Sequence, residues 1–189
     1  MKHSLEKFNR LVDALQELPT IGQKSAVRLA YHMVMKDGFT ALKIAHAIEN
    51  ALGSLKKCHD CGGMSEDELC YICSDETRER EILCIVENAK DILTFEDNGL
   101  FSGRYFVLEA LDTLDVSHLR NLVKEGVEEV IFALTPSIAN DAVILFLEDK
   151  LQEFDVRFTR IAQGVPTGVS LENIDLLSLS RALNDRVKV

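Results

Sequence analysis

Four of the five cysteines of the chain lie within sixteen residues, as two Cys-x-x-Cys pairs separated by eight residues. The first pair is Cys58 and Cys61, and the second is Cys70 and Cys73. Each pair can turn both of its sulfurs toward one point, and four thiolates around one point form a tetrahedral ligand set for Zn²⁺. Because protein would fill all four positions, the predicted zinc is structural rather than catalytic.

Two disulfides are the other interpretation of the same cysteines. Disulfides are rare in cytosolic proteins, and the start of the sequence lacks the apolar core of a signal peptide. The longest purely apolar runs, such as residues 142–147, are far shorter than the ~18 residues that a membrane span needs. We therefore expect a cytoplasmic protein without membrane attachment, in which residues 58–80 form a zinc-binding segment, named here the zinc knot.

The zinc knot separates two segments of opposite charge. Residues 1–57 contain nine Lys or Arg and five Asp or Glu, whereas residues 58–189 contain twelve and twenty-six. The net charge of the whole chain is −10, so most of its surface should repel phosphate groups. A nucleic-acid contact is therefore expected only on the basic N-terminal segment.

Three amphipathic helices are predicted in the N-terminal segment, near residues 5–17, 23–35 and 40–55. Pro19 ends the first helix, and residues 18–22 form a hairpin before the second. Thr40 has the side chain of a good N-cap for the third helix.

The hairpin has the features of an anion site. Gly22 leaves the backbone bare where the second helix begins, and the first N–H groups of a helix have no partner within it. Lys24 and Arg28 lie on the adjoining helix face. This arrangement predicts contacts to DNA phosphates that do not read the base sequence. The alternative is a plain helical corner, in which Ile21 fills the core and Gly22 only turns.

Strand and helix patterns alternate after the zinc knot. The predicted strands are residues 82–87, 105–109, 129–134 and 156–162, and the predicted helices are 88–98, 117–125 and 138–154. The strand at 82–87 and the strand at 129–134 are apolar on both faces, as buried strands of parallel sheets are. Strands that alternate with helices at this spacing form a parallel sheet.

Two carboxylates mark the edge of this sheet. Glu87 ends the first strand, where ligand-binding groups collect in open parallel sheets. Asp91 follows four residues later and is expected to share a helix face with Glu87. Two such carboxylates can hold Mg²⁺ together with several waters. They can equally bind a neighbouring basic side chain or a partner protein, and the residues leave both alternatives open.

The order of these parts resembles the RecR family of bacterial recombination mediators over essentially the whole chain. The resemblance is carried by the four cysteines and by residues 85–87, 102–108, 160–168, 171–172, Asp175 and 179–183. It implies an α+β and α/β chain of four parts. These are a helix–hairpin–helix DNA-binding domain at 1–57, a four-cysteine zinc finger at 58–80, a Toprim-like parallel α/β domain at 81–165 and a C-terminal helical segment at 166–189.

The resemblance also implies a function and partners. Homodimers would join into a ring-shaped homotetramer around DNA, with RecO, and often RecF, as partners in loading RecA at gaps. The C-terminal segment would serve self-association, since Leu176, Leu177, Leu179 and Leu183 are too apolar for a free tail. The Toprim fold would be used without chemistry of its own.

One departure from the family bears on the expected chemistry. Where the family has Thr-Asn-Pro-Thr-x-Glu-Gly-Glu, residues 134–141 of this chain keep only Asp141 as an acid, and no Asp-x-Asp follows a strand. Binding of Mg²⁺ by Glu87, Asp91 and Asp141 is therefore expected to be weak. The chain is predicted to be no enzyme, and the alternative is a Mg²⁺-dependent nuclease or primase of the Toprim type.

Overall fold

The computed structural model describes residues 5–99, 101–108, 114–162, 165 and 168–184. It contains two compact units, Met1–Leu55 and Lys56–Val189. Within the described residues, no helix has the length and apolarity that crossing a bilayer requires.

The N-terminal unit consists of three helices, which are α1 (Glu6–Gln16), α2 (Gln23–Met35) and α3 (Gly38–Ser54). Its small core is formed by Val12 of α1 and by Ala26 and Ala30 of α2, with partly buried apolar side chains around them. The alanines allow the two helices to approach closely. The predicted helix–hairpin–helix is therefore confirmed.

The third helix differs from the prediction in two ways. It begins at Gly38, and its N-cap is Asp37, whose carboxylate accepts a hydrogen bond from the Thr40 N–H at 3.0 Å. Thr40 was the wrong residue for the cap because the helix begins two residues before it, and the Asp37 carboxylate caps that earlier start. The apolar stripe of this amphipathic helix, which would be expected to face a core, is also exposed in the single chain, with Leu42 63% and Leu52 81% exposed.

The second unit begins with a short antiparallel ribbon, in which β1 (Lys56–Lys57) precedes the zinc knot and pairs with β2 (Met64–Ser65) inside it. Its main sheet is parallel, with strand order β4-β3-β5-β6. The strands are β3 (Glu79–Val86), β4 (Gly103–Val107), β5 (Glu129–Ala133) and β6 (Arg157–Arg160). The helices are α4 (Ala89–Asp97), α5 (Val116–Lys124), α6 (Ile138–Leu151) and α7 (Leu176–Asn184), and a 3₁₀ turn spans Leu171–Asn173. The predicted parallel α/β domain and the C-terminal helix are confirmed.

Two separate apolar cores cover the two faces of this sheet, since neighbouring residues of a strand point to opposite faces. On one face, Leu83 and Ile85 of β3 pack with buried side chains of α5 and α6. On the other face, Cys84 and Val86 of β3 pack with Ile92 of α4 and with buried residues of the zinc knot. The zinc knot thus covers part of the sheet face on which α4 lies.

The C-terminal leucines are only partly covered. Leu176 is 85% exposed and Leu183 is 61% exposed, whereas Leu179 is half-buried. Leu176 and Leu183 are therefore mostly exposed in the single chain. A second subunit remains the predicted cover for them.

Candidate metal centre, nucleic-acid interface and sheet-edge cleft

The four cysteines of the zinc knot converge. Their Sγ atoms all lie within 4.8 Å of one another, and Cys58, Cys61 and Cys70 are buried. The Sγ atoms of Cys61 and Cys70 are 3.7 Å apart, close to the sulfur–sulfur distance of about 3.8 Å in a tetrahedral site with Zn–S bonds of about 2.3 Å. A disulfide bond needs about 2.05 Å, and all five cysteines are free thiols. The residues therefore fit a structural Zn²⁺, as predicted.

Backbone turns hold the sulfurs at this point. The Cys58 N–H donates to the Gly63 carbonyl at 2.7 Å, and the Gly62 N–H donates to the Cys58 carbonyl at 3.0 Å. Gly62 has a φ of +73°, which an L side chain rarely adopts, so glycine is required at this turn. The second pair is closed by the Ser74 N–H, which donates to the Cys70 carbonyl at 3.0 Å.

Backbone hydrogen bonds to two of the sulfurs stabilise the negatively charged thiolate form of the cysteines. The Gly63 N–H donates to Cys61 Sγ at 3.3 Å, and the Cys70 N–H donates to Cys58 Sγ at 3.2 Å. Contacts with Cys61 and Cys73 lower the pKa of Cys70, and the same contacts raise the pKa of Cys61 and of Cys73. N–H groups directed at sulfur favour the thiolate form that binds metal, and a divalent cation would displace the protons of the remaining thiols.

Two histidines lie beside the metal centre without belonging to it. His59 is mostly exposed, and its Nδ1 lies 3.1 Å from Asp60 Oδ1. His118 of α5 was not predicted to matter, yet its Nε2 lies 2.8 Å from the Asp60 carbonyl oxygen. Its ring also packs edge-on against His59, at a centroid distance of 5.6 Å. His118 therefore joins α5 to the zinc knot, although it lies 58 residues after Asp60 in the sequence. No local sequence pattern predicts this contact.

The predicted DNA-binding hairpin is a tight turn before α2. The Ile21 N–H donates to the Leu18 carbonyl at 3.2 Å, and Thr20 takes the left-handed conformation with a φ of +69°. Gly22 is the N-cap in an extended conformation, with a φ of −83°. Its backbone does not demand glycine, and a Cβ atom placed there would meet no described atom within 4 Å. The start of α2 is therefore open to an approaching group.

The two predicted cations lie close to this opening. Lys24 is in the first turn of α2 and Arg28 is one turn further, and both are exposed. No acidic side chain and no side-chain cap occupy the described first turn of α2. The N–H groups at its start therefore keep their capacity to bind an anion.

A cleft of about 800 Å³ lies at the carboxyl ends of β3, β5 and β6. It opens between β3 and β5, where the connections of the sheet reverse direction and where α/β sheets bind ligands. Its lining residues include Glu87, Lys90, Asp91, Thr135, Asp175 and Ser178, of which the last two come from the C-terminal segment. We refer to it as the sheet-edge cleft.

The acidic residues predicted near this edge are not gathered into one site. Glu87 accepts hydrogen bonds from the Thr135 N–H at 2.7 Å, from the Thr135 hydroxyl at 3.1 Å and from the Asn140 amide. Asp91 closes a capping box, in which its carboxylate accepts from the Asn88 N–H at 2.9 Å. Glu87 precedes that cap, so the expectation that it shares a helix face with Asp91 was wrong.

Asp141 lines a different cleft, between α6 and β6, where Arg160 Nη1 lies 3.6 Å from its Oδ1. Across the described parts of the chain, the four cysteines are the one group of three or more His, Cys, Asp or Glu side chains close enough to share an ion. Binding of Mg²⁺ at Glu87, Asp91 and Asp141 stays a prediction. Thr135 and Asn140 donate hydrogen bonds to Glu87. The sequence did not predict these partners because they follow a different strand, β5.

Three family models match the chain in the order in which the parts were predicted. The model described as RecR, helix-hairpin-helix matches residues 8–52, and the RecR zinc finger model, whose description specifies four cysteines, matches residues 55–75. The Toprim domain model matches residues 81–162.

Curated relatives match over the full length. The chain is 57% identical over 190 residues to Recombination protein RecR of a Nitratiruptor species, with 100% of both chains covered. It is 51% identical over 190 residues to Recombination protein RecR of Campylobacter jejuni subsp. doylei, again with 100% of both chains covered. Its identity to Recombination protein RecR of Helicobacter pylori (strain Shi470) is 50% over 188 residues, which cover 99% of this chain and 97% of the relative.

Proposed function

The chain belongs to the RecR family of recombination proteins, and from this premise we propose that it is a non-catalytic mediator of DNA repair and recombination that binds DNA without sequence specificity. A role in recombination follows from the family. The single observation that carries the proposed mode of action is the open start of α2, flanked by Lys24 and Arg28.

The chemistry of this opening matches a phosphate group. Unpaired N–H groups and the positive end of the helix dipole favour an anion, and two exposed cations lie within the next turn and a half. A DNA phosphate meets these requirements in any base sequence. Because the rest of the chain carries a large excess of acidic residues, the affinity of one chain for DNA should be weak and should fall steeply with salt.

Self-association would compensate for a weak single contact by raising the effective concentration of the next one. The N-terminal unit supports this proposal, since exposed apolar side chains such as Tyr31, Phe39, Leu42 and Leu52 follow α2 and α3. We propose that these side chains form one interface, since large exposed apolar patches mark protein–protein contacts. A dimer that joins into a ring-shaped tetramer around DNA is the assembly that we propose.

The partners are proposed from the family. We propose that the assembly acts with RecO, and with RecF in some settings, to load RecA at gaps in DNA. The sheet-edge cleft, with Glu87 and Asp91 in its lining, is the place where we expect a partner protein or a weakly held Mg²⁺ to bind.

A Toprim-type nuclease or primase is the second candidate, because the sheet-edge cleft has the position of an active site in this fold. Its chemistry would require carboxylates that converge on Mg²⁺. Asp141 lies in another cleft beside Arg160, and Asp91 caps α4. This dispersal of the carboxylates favours the non-catalytic proposal.

Reversal of the two hairpin charges tests the DNA contact. The double variant Lys24→Glu/Arg28→Glu should lose retention on gapped DNA at low salt, while its zinc content and its mass in solution stay those of the parent. The control is Lys36→Glu/Lys43→Glu, which makes the same change of net charge elsewhere in the N-terminal unit. Equal retention of the hairpin variant and the parent would show that the hairpin is only a structural corner.

A further inference from the structure

Three polar side chains form a buried network where the chain leaves the zinc knot. The guanidinium of Arg78 is paired with both carboxylate oxygens of Glu96, and one of these contacts, Nη1 to Oε1, measures 3.0 Å. The hydroxyl of Tyr105 donates to the same carboxylate at 2.7 Å. The side chains of Arg78 and Glu96 are each 14% exposed, and Tyr105 is 1% exposed.

This network connects three elements of the second unit. Arg78 follows the last cysteine of the zinc knot by five residues, Glu96 is in the last turn of α4, and Tyr105 is in the middle of β4. Arg78 Nη1 also donates to the carbonyl of Phe101 at 3.0 Å, in the loop between α4 and β4. The loop and both of its flanking elements are therefore attached to one guanidinium group.

The link between Arg78 and the metal centre is short and ordered. The hydroxyl of Ser74 donates to the Cys70 carbonyl at 3.1 Å, and the Asp75 carboxylate accepts from the N–H and the hydroxyl of Thr77 at 2.8 and 2.7 Å. The Arg78 N–H then donates to the Asp75 carbonyl at 3.4 Å. A displacement of the second cysteine pair would therefore be carried directly to Arg78.

A second, apolar connection joins the same parts. Ile92 of α4 is 4% exposed in the core that it shares with the cysteines, and a Cβ atom on Gly63 would lie 3.1 Å from Ile92 Cδ1. The Val107 N–H of β4 donates to the Cys61 carbonyl at 2.7 Å. The metal centre and α4 are thus connected by both packing and charge.

We infer that Arg78, Glu96 and Tyr105 form an ionic latch that couples metal binding in the zinc knot to the position of α4 and of the sheet-edge cleft. Helix α4 supplies Lys90, Asp91, Thr94 and Phe95 to the lining of that cleft. Because the side chains of Arg78 and Glu96 are each only 14% exposed, removal of either one would leave the other as a largely desolvated, unpaired charge. This inference is independent of the proposed role in recombination.

Coupling of this kind is reciprocal. If the bound metal fixes α4, then loss of the latch must weaken the hold on the metal. Arg78, Glu96 and Tyr105 are positioning residues in this scheme, because they act on the cleft through α4 and on the metal through the chain that leaves the zinc knot.

The first test uses the parent protein. Zinc is removed from the full chain with a chelator, and amide hydrogen exchange is compared between α4 and α6, which lie on opposite faces of the sheet. We expect exchange to rise in α4 (Ala89–Asp97) and to change little in α6 (Ile138–Leu151). Equal increases in both helices, or no increase in α4, would contradict the latch.

The second test uses matched variants of the zinc-loaded full chain. Arg78→Met should bind zinc roughly tenfold more weakly than the parent, within the usual range of coupling between sites. Because changes in affinity lie mostly in the dissociation rate, it should release zinc to a chromogenic chelator roughly tenfold faster. The control is Arg120→Met, which removes another guanidinium paired with a carboxylate, that of Glu153 at 2.5 Å. This guanidinium binds the Lys150 carbonyl of α6 instead of α4. Arg120→Met should release zinc at the rate of the parent.

A conservative variant separates the latch from general packing. Tyr105→Phe keeps the buried ring and removes one hydrogen bond to Glu96, so its zinc release should be faster than that of the parent and slower than that of Arg78→Met. The inference is wrong if Arg78→Met and Arg120→Met release zinc at the same rate. If Arg78→Met does not fold, Tyr105→Phe decides the question, and zinc release at the rate of the parent would then contradict the latch.

Discussion

Cysteine serves two purposes in this chain, and the surroundings of each thiol decide which one. Cys84 is buried in β3, where desolvation raises its pKa to about 12 and keeps it a neutral, apolar side chain. The cysteines of the zinc knot face one another and receive N–H groups at sulfur. Burial alone therefore does not make a thiol a metal ligand. A cysteine becomes a ligand where several thiols converge and backbone N–H groups donate to sulfur.

Removal of one ligand should unload the metal and destabilise the fold. Cys58→Ala should lose bound zinc and should melt at a much lower temperature, because structural zinc contributes on the order of 10 kcal/mol in small fingers. Zinc content by atomic spectroscopy and a thermal melt measure the two effects.

Cys84→Ala is the matched control for that variant, since it removes an equally buried thiol that lies outside the ligand set. It should keep its zinc while losing some stability to the cavity that it leaves. A Cys58→Ala protein without zinc that melted at the temperature of the parent would show that the metal has no structural role.

At the scale of elements, periodicity predicted helices and strands well, and local capping decided their ends. The sheet domain was predictable because its two central strands, β3 and β5, contain continuous apolar runs. The exposure of α3 was not predictable from its pattern, since an apolar stripe looks the same whether its own chain or another chain covers it.

Contacts between residues that are far apart in the sequence could not be predicted either. The zinc knot shares a core with β3, β4 and α4, and His118 binds the Asp60 carbonyl. Nothing in the cysteine spacing indicates which surface the zinc knot will cover. At Glu87 the strand end was predictable, whereas the partners Thr135 and Asn140 depend on which strand lies next to β3.

Two glycines give a matched test of how tightly the sheet is packed. A Cβ atom on Gly103 of β4 would lie 2.5 Å from Phe101 Cζ and 2.6 Å from the Ile82 carbonyl oxygen. Gly103→Ala should therefore lower the free energy of unfolding by about 1–3 kcal/mol through overpacking. Gly53 of α3 has no described atom within 4 Å of such a Cβ.

Gly53→Ala should accordingly raise stability by roughly 0.5–1 kcal/mol, since alanine is the better helix former. Chemical denaturation of both variants measures these changes. If Gly103→Ala proved as stable as the parent, Phe101 could not lie as close to Gly103 as described.

At the scale of the whole molecule, charge and apolar surface are unevenly distributed. The basic excess lies in the N-terminal 57 residues and the acidic excess in the remainder. The N-terminal unit also exposes apolar side chains that its own small core cannot cover. Both features favour a protein that works in an assembly rather than as a single chain.

Self-association should depend on the exposed face of α3. The parent should be an oligomer by light scattering at micromolar concentration, and Leu42→Glu/Leu52→Glu should reduce its mass without loss of helical content. Lys43→Glu, an exposed change in the same helix, should leave the mass unchanged. A parent protein that stays monomeric at high micromolar concentration would contradict the ring assembly.

The most direct measurement asks whether the protein binds DNA without altering it. Zinc-loaded protein is incubated with gapped DNA and with supercoiled plasmid at low salt in the presence of Mg²⁺, and retention, strand length and topology are recorded. We predict that the gapped DNA is retained and that all DNA is recovered with its original strand lengths and topology. Robust cleavage or relaxation that disappears in Glu87→Ala would contradict the account and would establish an enzyme at the sheet-edge cleft.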